Sequence, residues 1–111
     1  MQSGFSSVFL VTLNTLSIMS FEEFTQSLAN SHPGGGNPLL DALWWDARGD
    51  WNKAHEIAQD VASGDGALIH AYLHRKEGDI SNAMYWYRQA GESIPDLSLS
   101  EEWTKLVRKF L

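Results

Sequence analysis

"ALWWDARGDWNKAHEIAQ" (Ala42–Gln59) and "AYLHRKEGDISNAMYWYR" (Ala71–Arg88) carry one pattern twice. Gly49-Asp50 falls on Gly78-Asp79, Ala42 on Ala71 and Ala54 on Ala83, at a constant offset of 29 residues. An internal period of this size marks stacked helical hairpins. The shared positions have physical reasons. Glycine after a helix adopts the left-handed backbone that ends it at little cost. The aspartate that follows caps the next helix and suits its positive N-terminus. The paired alanines let two helices approach closely, where a large side chain would splay them. The inward stripe of the second helix is then Trp51, Ala54, Ile57, Ala58 and Val61 in the first pair. In the second pair it is Ile80, Ala83, Met84, Tyr87 and Ala90.

Two further helices flank the repeats. Upstream, "SFEEFTQSLAN" begins with Ser20 and Glu23 in capping-box spacing, with Phe21, Phe24 and Leu28 on one face. "SHPGGGNP" (residues 31–38) is a joint, in which Asn37 and Pro38 suit the N-cap and first position of the next helix. Downstream, "SLSEEWTKLVRKFL" repeats the capping-box spacing in Ser98 and Glu101. Its face of Leu99, Trp103, Leu106, Val107 and Phe110 is apolar. A short repeat array needs such a closing helix over its open end. Glu101 and Glu102 at its start, with Lys105, Arg108 and Lys109 towards its end, complement the helix dipole.

Residues 1–18 are a different composition, without a single charge. The apolar part, Phe5 to Ile18, is too short and too polar to span a bilayer. A signal peptide would carry a basic start and a small-residue cleavage site, and neither is present. We read Met19 as the natural start and the leader as an upstream extension, with an export signal or a packed segment as the alternatives.

The chain has 111 residues, enough for one small domain. It has no cysteine, which excludes disulfides and thiolate metal sites. Its net charge of −6 gives it no electrostatic footprint for nucleic acid or anionic lipid. Five tryptophans supply large apolar areas that must be core or binding surface.

Residues 67–95 resemble a tetratricopeptide repeat. The family's small first-helix residue falls on Ala71 and its turn on Gly78-Asp79. Its second-helix positions fall on Ala83, Tyr87 and Ala90, and its closing proline on Pro95. Ala67, His70 and His74 depart from it, standing where large residues are common. Residues 38–61 match through Ala42, Trp45, Gly49, Asp50, Ala54 and Val61. "NAMYWYRQAG" also resembles the related short repeats with Ala-x-x-Trp-Tyr-x-x-Ala. The whole chain is similar to small bacterial proteins with a "HAYLHRKEGD…YWYR" stretch, which implies no activity. The tetratricopeptide resemblance implies protein or peptide binding in a groove, by analogy of fold alone. On this chain that groove face holds Leu39, Leu43, Leu68, Tyr72, Arg75 and Lys76. Arg75 has the fork to take a partner's carboxylate. The family's full carboxylate clamp is not matched.

A second candidate site comes from spacing. His70, His74 and Glu77 recur at helical intervals and project into one arc, with His55 on the preceding helix able to approach. Three imidazoles and a carboxylate suit a divalent metal. The competing interpretation is a neutral, packed histidine pair, because His74 aligns with Trp45 at a packing position. Trp86 is expected against the closing helix and Trp103. No nucleophile motif or phosphate loop occurs.

The expectation is therefore an all-α chain. Two tetratricopeptide-like antiparallel hairpins (about 38–62 and 67–91) lie between an N-terminal helix and a capping helix (about 99–110), in one domain over 19–111. Its expected role is a cytoplasmic, non-enzymatic interaction module without cofactor. It would bind a protein or peptide, or self-associate as a homodimer, and touch neither nucleic acid nor membrane. The alternative is a metal- or small-ligand-binding protein centred on His55, His70, His74 and Glu77.

Overall fold

The structure is a computed structural model, and it describes residues 19–111. The leader, and every reading placed on it, lies outside the described residues. Those described form an all-α chain with six helices and no strand. They are α1 (Phe21–Gln26, continued by a 3-10 turn at Ser27–Ala29), α2 (Pro38–Ala47), α3 (Trp51–Gln59), α4 (Gly64–Lys76), α5 (Ile80–Gln89) and α6 (Leu99–Phe110). Among the described residues no helix is long and apolar enough to cross a membrane.

Local chemistry sets the helix ends. Ser20 with Glu23, and Ser98 with Glu101, make complete capping boxes. Asn37 caps α2 ahead of Pro38, and its side-chain amide also donates to the Phe110 carbonyl at 3.2 Å. That bond ties the start of α2 to the end of α6. Gly49 and Gly78 take φ of 85° and 89°, and Asp50 and Asp79 cap the helices that follow. The two corners thus have one construction. α2 folds back on α3 and α4 on α5 through them.

The link between the two pairs is short. "SGDG" is the N-cap and first turn of α4, with Ser63 as the cap. Gly66 lies so close to Val61 that a Cβ there would stand 2.0 Å from the Val61 carbonyl oxygen. Only a bare backbone fits that passage.

α4 is the central element. Its residues 66–74 are all buried, and it meets α2, α3, α5 and α6. Leu43, Ile69, Leu73 and Val107 are wholly buried with Trp44 and Tyr87. Each such aliphatic side chain contributes roughly 1.5–3 kcal/mol of burial. Tryptophan N–H groups stitch the layers through backbone carbonyls. Trp44 donates to Ser27 at 3.2 Å, Trp51 to Leu73 at 2.8 Å and Trp103 to Leu43 at 3.0 Å.

Two expectations about packing change. Ile80 and Met84 do not face inward, being 44% and 43% exposed. α5 has substantial contact with α4 alone, so only the Ala83–Tyr87 arc is covered. Trp86 does not meet Trp103. It stacks on His70 with centroids 4.1 Å apart, while Trp103 packs against Phe21 and Phe24.

Candidate metal centre and the filled groove

The first and second helices of neighbouring pairs bring three imidazoles together. α3 supplies His55, and α4 supplies His70 and His74 one turn apart. His55 is half-buried and the other two are buried. Their ring centroids are 4.4, 5.1 and 4.9 Å apart. One ligand nitrogen from each lies within 4.8 Å of the other two. Two tryptophans wall the cluster. Trp51 stacks on His55 at 4.9 Å and Trp86 on His70 at 4.1 Å, both nearly parallel.

Both ring nitrogens of His74 have polar neighbours. Glu77 Oε2 lies 2.7 Å from its Nδ1, and the Asn82 amide nitrogen lies 3.4 Å from its Nε2. A carboxylate accepts and an amide N–H donates, which assigns the proton to Nδ1 and a lone pair to Nε2. A carboxylate behind an imidazole raises its basicity as a ligand and fixes its ring. Glu77 thus stands where an orienting group is needed. His74, Glu77 and Asp79 also form a second, more exposed set of ligand atoms within 4.8 Å.

Electrostatics disfavours charge on two of the three rings, His55 and His70. Burial, then the neighbouring His55 and His74, lower the pKa of His70 to about 4. Burial, then His74, also lowers that of His55, against a smaller opposing pull from Glu77. A neutral imidazole offers a lone pair to a metal, and on His74 that lone pair faces the Asn82 amide, which must turn aside for an ion to enter. A tetrahedral ion with bonds of about 2.0–2.1 Å spaces its nitrogens roughly 3.3–3.4 Å apart. The nitrogens must therefore approach one another by up to about 1.5 Å for one ion to reach all three. The structure brings three of the four residues that the sequence suggested as ligands, His55, His70 and His74, into one set, while Glu77 meets only His74 of these, in a second set with Asp79. The fourth histidine, His32, is exposed in the joint before α2.

The groove residues have a different fate. Leu43, Leu68 and Tyr72 are buried, Leu39 packs on the core, and Arg75 is mostly covered. An open peptide face at Leu39, Leu43, Leu68, Tyr72, Arg75 and Lys76 is therefore corrected, Lys76 being the one of the six that stays exposed. The reason is α6, which lies on α2 and α4, the helices that would line the groove. Arg75 does hold a carboxylate, but an internal one. Its Nη1 donates to Glu102 Oε1 at 2.7 Å, and its Nη2 donates to the Leu97 carbonyl. Glu102 is 3% exposed and also accepts from Tyr87. Lys76 donates to Asp46 Oδ1 at 2.8 Å, and the Tyr72 hydroxyl to Asp46 Oδ2 at 2.8 Å.

The roles of Glu102 and Asp46 as buried anchors were missed from the sequence. Glu102 looked like a dipole charge at a helix start, and nothing local marks it as buried. Asn82 was missed as well, although its position one turn into α5 faces His74.

No family model, curated protein or solved structure matches this chain. The function therefore rests on the chemistry of the residues themselves.

Proposed function

We propose that this protein is a small helical metal-binding protein that holds a divalent transition-metal ion on His55, His70 and His74. The observation that carries it is the convergence of three imidazole nitrogens within 4.8 Å, from two helices, in a largely buried site. Glu77 orients His74 from behind. An all-nitrogen set without thiolate suits zinc, copper(II), nickel or cobalt rather than a hard ion such as magnesium. Three protein ligands leave a fourth position for water or another small ligand.

The test uses untagged protein, because a polyhistidine tag would bind metal itself. Elemental analysis after purification, and titration with zinc and cobalt(II), read the stoichiometry. One ion per chain and an intense tetrahedral cobalt spectrum are expected. Each of His55→Ala, His70→Ala and His74→Ala should abolish both while helicity persists. Saturable binding that survives all three substitutions, or no binding at all, overturns the proposal.

A second reading, a protein–protein interaction module, moves from the groove to the outer face of α5. Ile80, Met84 and Tyr85 are exposed there, with Ile94 just beyond the helix. The occupant we name is a second copy, since one apolar helix face can pair with itself across a two-fold axis. Light scattering at increasing concentration reads it: Met84→Glu should remove the dimer. A chain that is monomeric at all concentrations ends this reading.

A further inference from the structure

α6 does not fill the concave side completely. Between α1, α2, α4 and α6 it leaves a cavity, broadly open to solvent, of about 350 Å³. Leu28, Ala47, Leu99 and the Trp103 ring form its walls, and Thr25 and Ser100 its rim. The polar groups in its lining are clustered. Asp46, 3% exposed, accepts from the Tyr72 hydroxyl on one oxygen and from Lys76 Nζ on the other, both at 2.8 Å. Tyr72, Asp46 and Lys76 all line the cavity.

The balance of donors and acceptors in this triad is uneven. Each Asp46 oxygen has a donor and the Asp46–Lys76 pair is neutral overall, so what the lysine has left to offer is N–H groups rather than unspent charge. An ammonium group has three N–H donors. Lys76 uses one on Asp46, and no other protein acceptor binds it among the described residues. Its side chain is 39% exposed, so the amine stands at the cavity with two donors to spare. A cationic donor binds an anionic acceptor about twice as strongly as a neutral one. The chain's net charge of −6 opposes an anion only weakly at this range. Salt screens exposed charges beyond about 8 Å under physiological conditions, whereas the ammonium is in contact. The volume lies at the small end of ligand pockets, which run from roughly 300 to 1,000 Å³. At about 30 Å³ per water-sized unit it takes roughly a dozen heavy atoms.

We infer that this cavity is a binding site for a small amphiphilic carboxylic acid, with the carboxylate on Lys76 Nζ and an aliphatic or aromatic body against Leu28, Leu99 and Trp103. The site is independent of the histidine cluster and stands or falls separately from it. Tyr72 and Asp46 hold the lysine in place from beneath. The ligand's apolar body replaces water against a surface that α6 leaves uncovered.

Octanoate and its neutral counterpart octanamide are the probes, titrated calorimetrically into the full chain. Octanoate should bind saturably and about tenfold more tightly than octanamide. Lys76→Met should erase that preference. Because this change takes one partner from buried Asp46, a second variant keeps the test sound: Leu99→Trp fills the cavity and leaves the triad intact. It should abolish binding of both probes with helicity unchanged. Equal affinity for the two probes, a preference that survives Lys76→Met, binding that survives Leu99→Trp, or no saturable binding of octanoate each overturns the assignment.

Discussion

The Tyr87 hydroxyl donates to Glu102 Oε2 at 2.6 Å, on a carboxylate whose other oxygen accepts from Arg75. α4, α5 and α6 therefore meet on one buried charge. An ion pair of this kind adds little over a well-packed apolar replacement, but breaking it strands its partner. Glu102→Ala leaves Arg75, whose side chain is 17% exposed, without its counter-charge. The expected cost is about 3 kcal/mol. Glu102→Gln keeps the shape and one acceptor and should cost about half as much. Urea denaturation of the two variants checks the order; equal midpoints for wild type and Glu102→Ala would contradict it.

Gly66 and Gly64 form a controlled pair on the same helix turn. A methyl at Gly66 meets the Val61 carbonyl, whereas one at Gly64 meets nothing within 4 Å. Neither has a positive φ, so backbone strain is equal for both. Gly66→Ala should destabilise by about 3 kcal/mol through forced displacement of the Val61 backbone. Gly64→Ala should be neutral or stabilise by up to about 1 kcal/mol, through the unfolded chain. Thermal melts of the two variants decide it.

Trp103 holds α6 in place by ring and by N–H. Trp103→Phe keeps most of the ring and leaves the Leu43 carbonyl without its side-chain donor, for about 1 kcal/mol. Trp103→Ala also removes the contacts with Phe21 and Phe24 and should cost about 3 kcal/mol or more. Only the alanine variant should bind a hydrophobic dye strongly, by loosening the cover over Leu43 and Tyr72. Dye fluorescence that stays at the wild-type level argues against α6 as the cover.

The metal-free protein has an acid limb and an alkaline limb. The fold depresses the His70 pKa from 6.5 to about 4, so it favours the neutral ring. Stability from this group is complete above pH 6.5 and is lost as pH falls towards 4. Burial, reinforced by Asp46 or Glu102, pushes the Tyr72 and Tyr87 hydroxyls above their usual 10. Their contribution is complete below pH 10 and is lost as pH rises further. Denaturation midpoints across this range should fall at both ends. His70→Gln should flatten the acid end, and Tyr87→Phe the alkaline one.

What could be read from the sequence was what depends on near neighbours. Both capping boxes, the Asn37-Pro38 start and the two Gly-Asp corners rest on contacts within four residues. Their chemistry is the same in any globular context. Helical spacing likewise placed His70, His74 and Glu77 on one arc. What escaped depends on which helix lies over which. Arg75 reaches Glu102 across 27 positions and Lys76 reaches Asp46 across 30, and no local pattern encodes either pair. Trp86 was assigned to the wrong partner for the same reason. An aromatic at a helix flank packs against whatever neighbour arrives, and here the neighbour is an imidazole. Ile80 and Met84 have the periodicity of buried residues, and among the described residues no helix covers them.

α6 is also synthesised after everything it covers. Until α6 has docked, the two helix pairs have no lid, and Leu43 and Tyr72 face water together with the unpaired guanidinium of Arg75. A molecule in which α6 is undocked presents that apolar trough to its neighbours, and such exposed patches are where chains stick to one another.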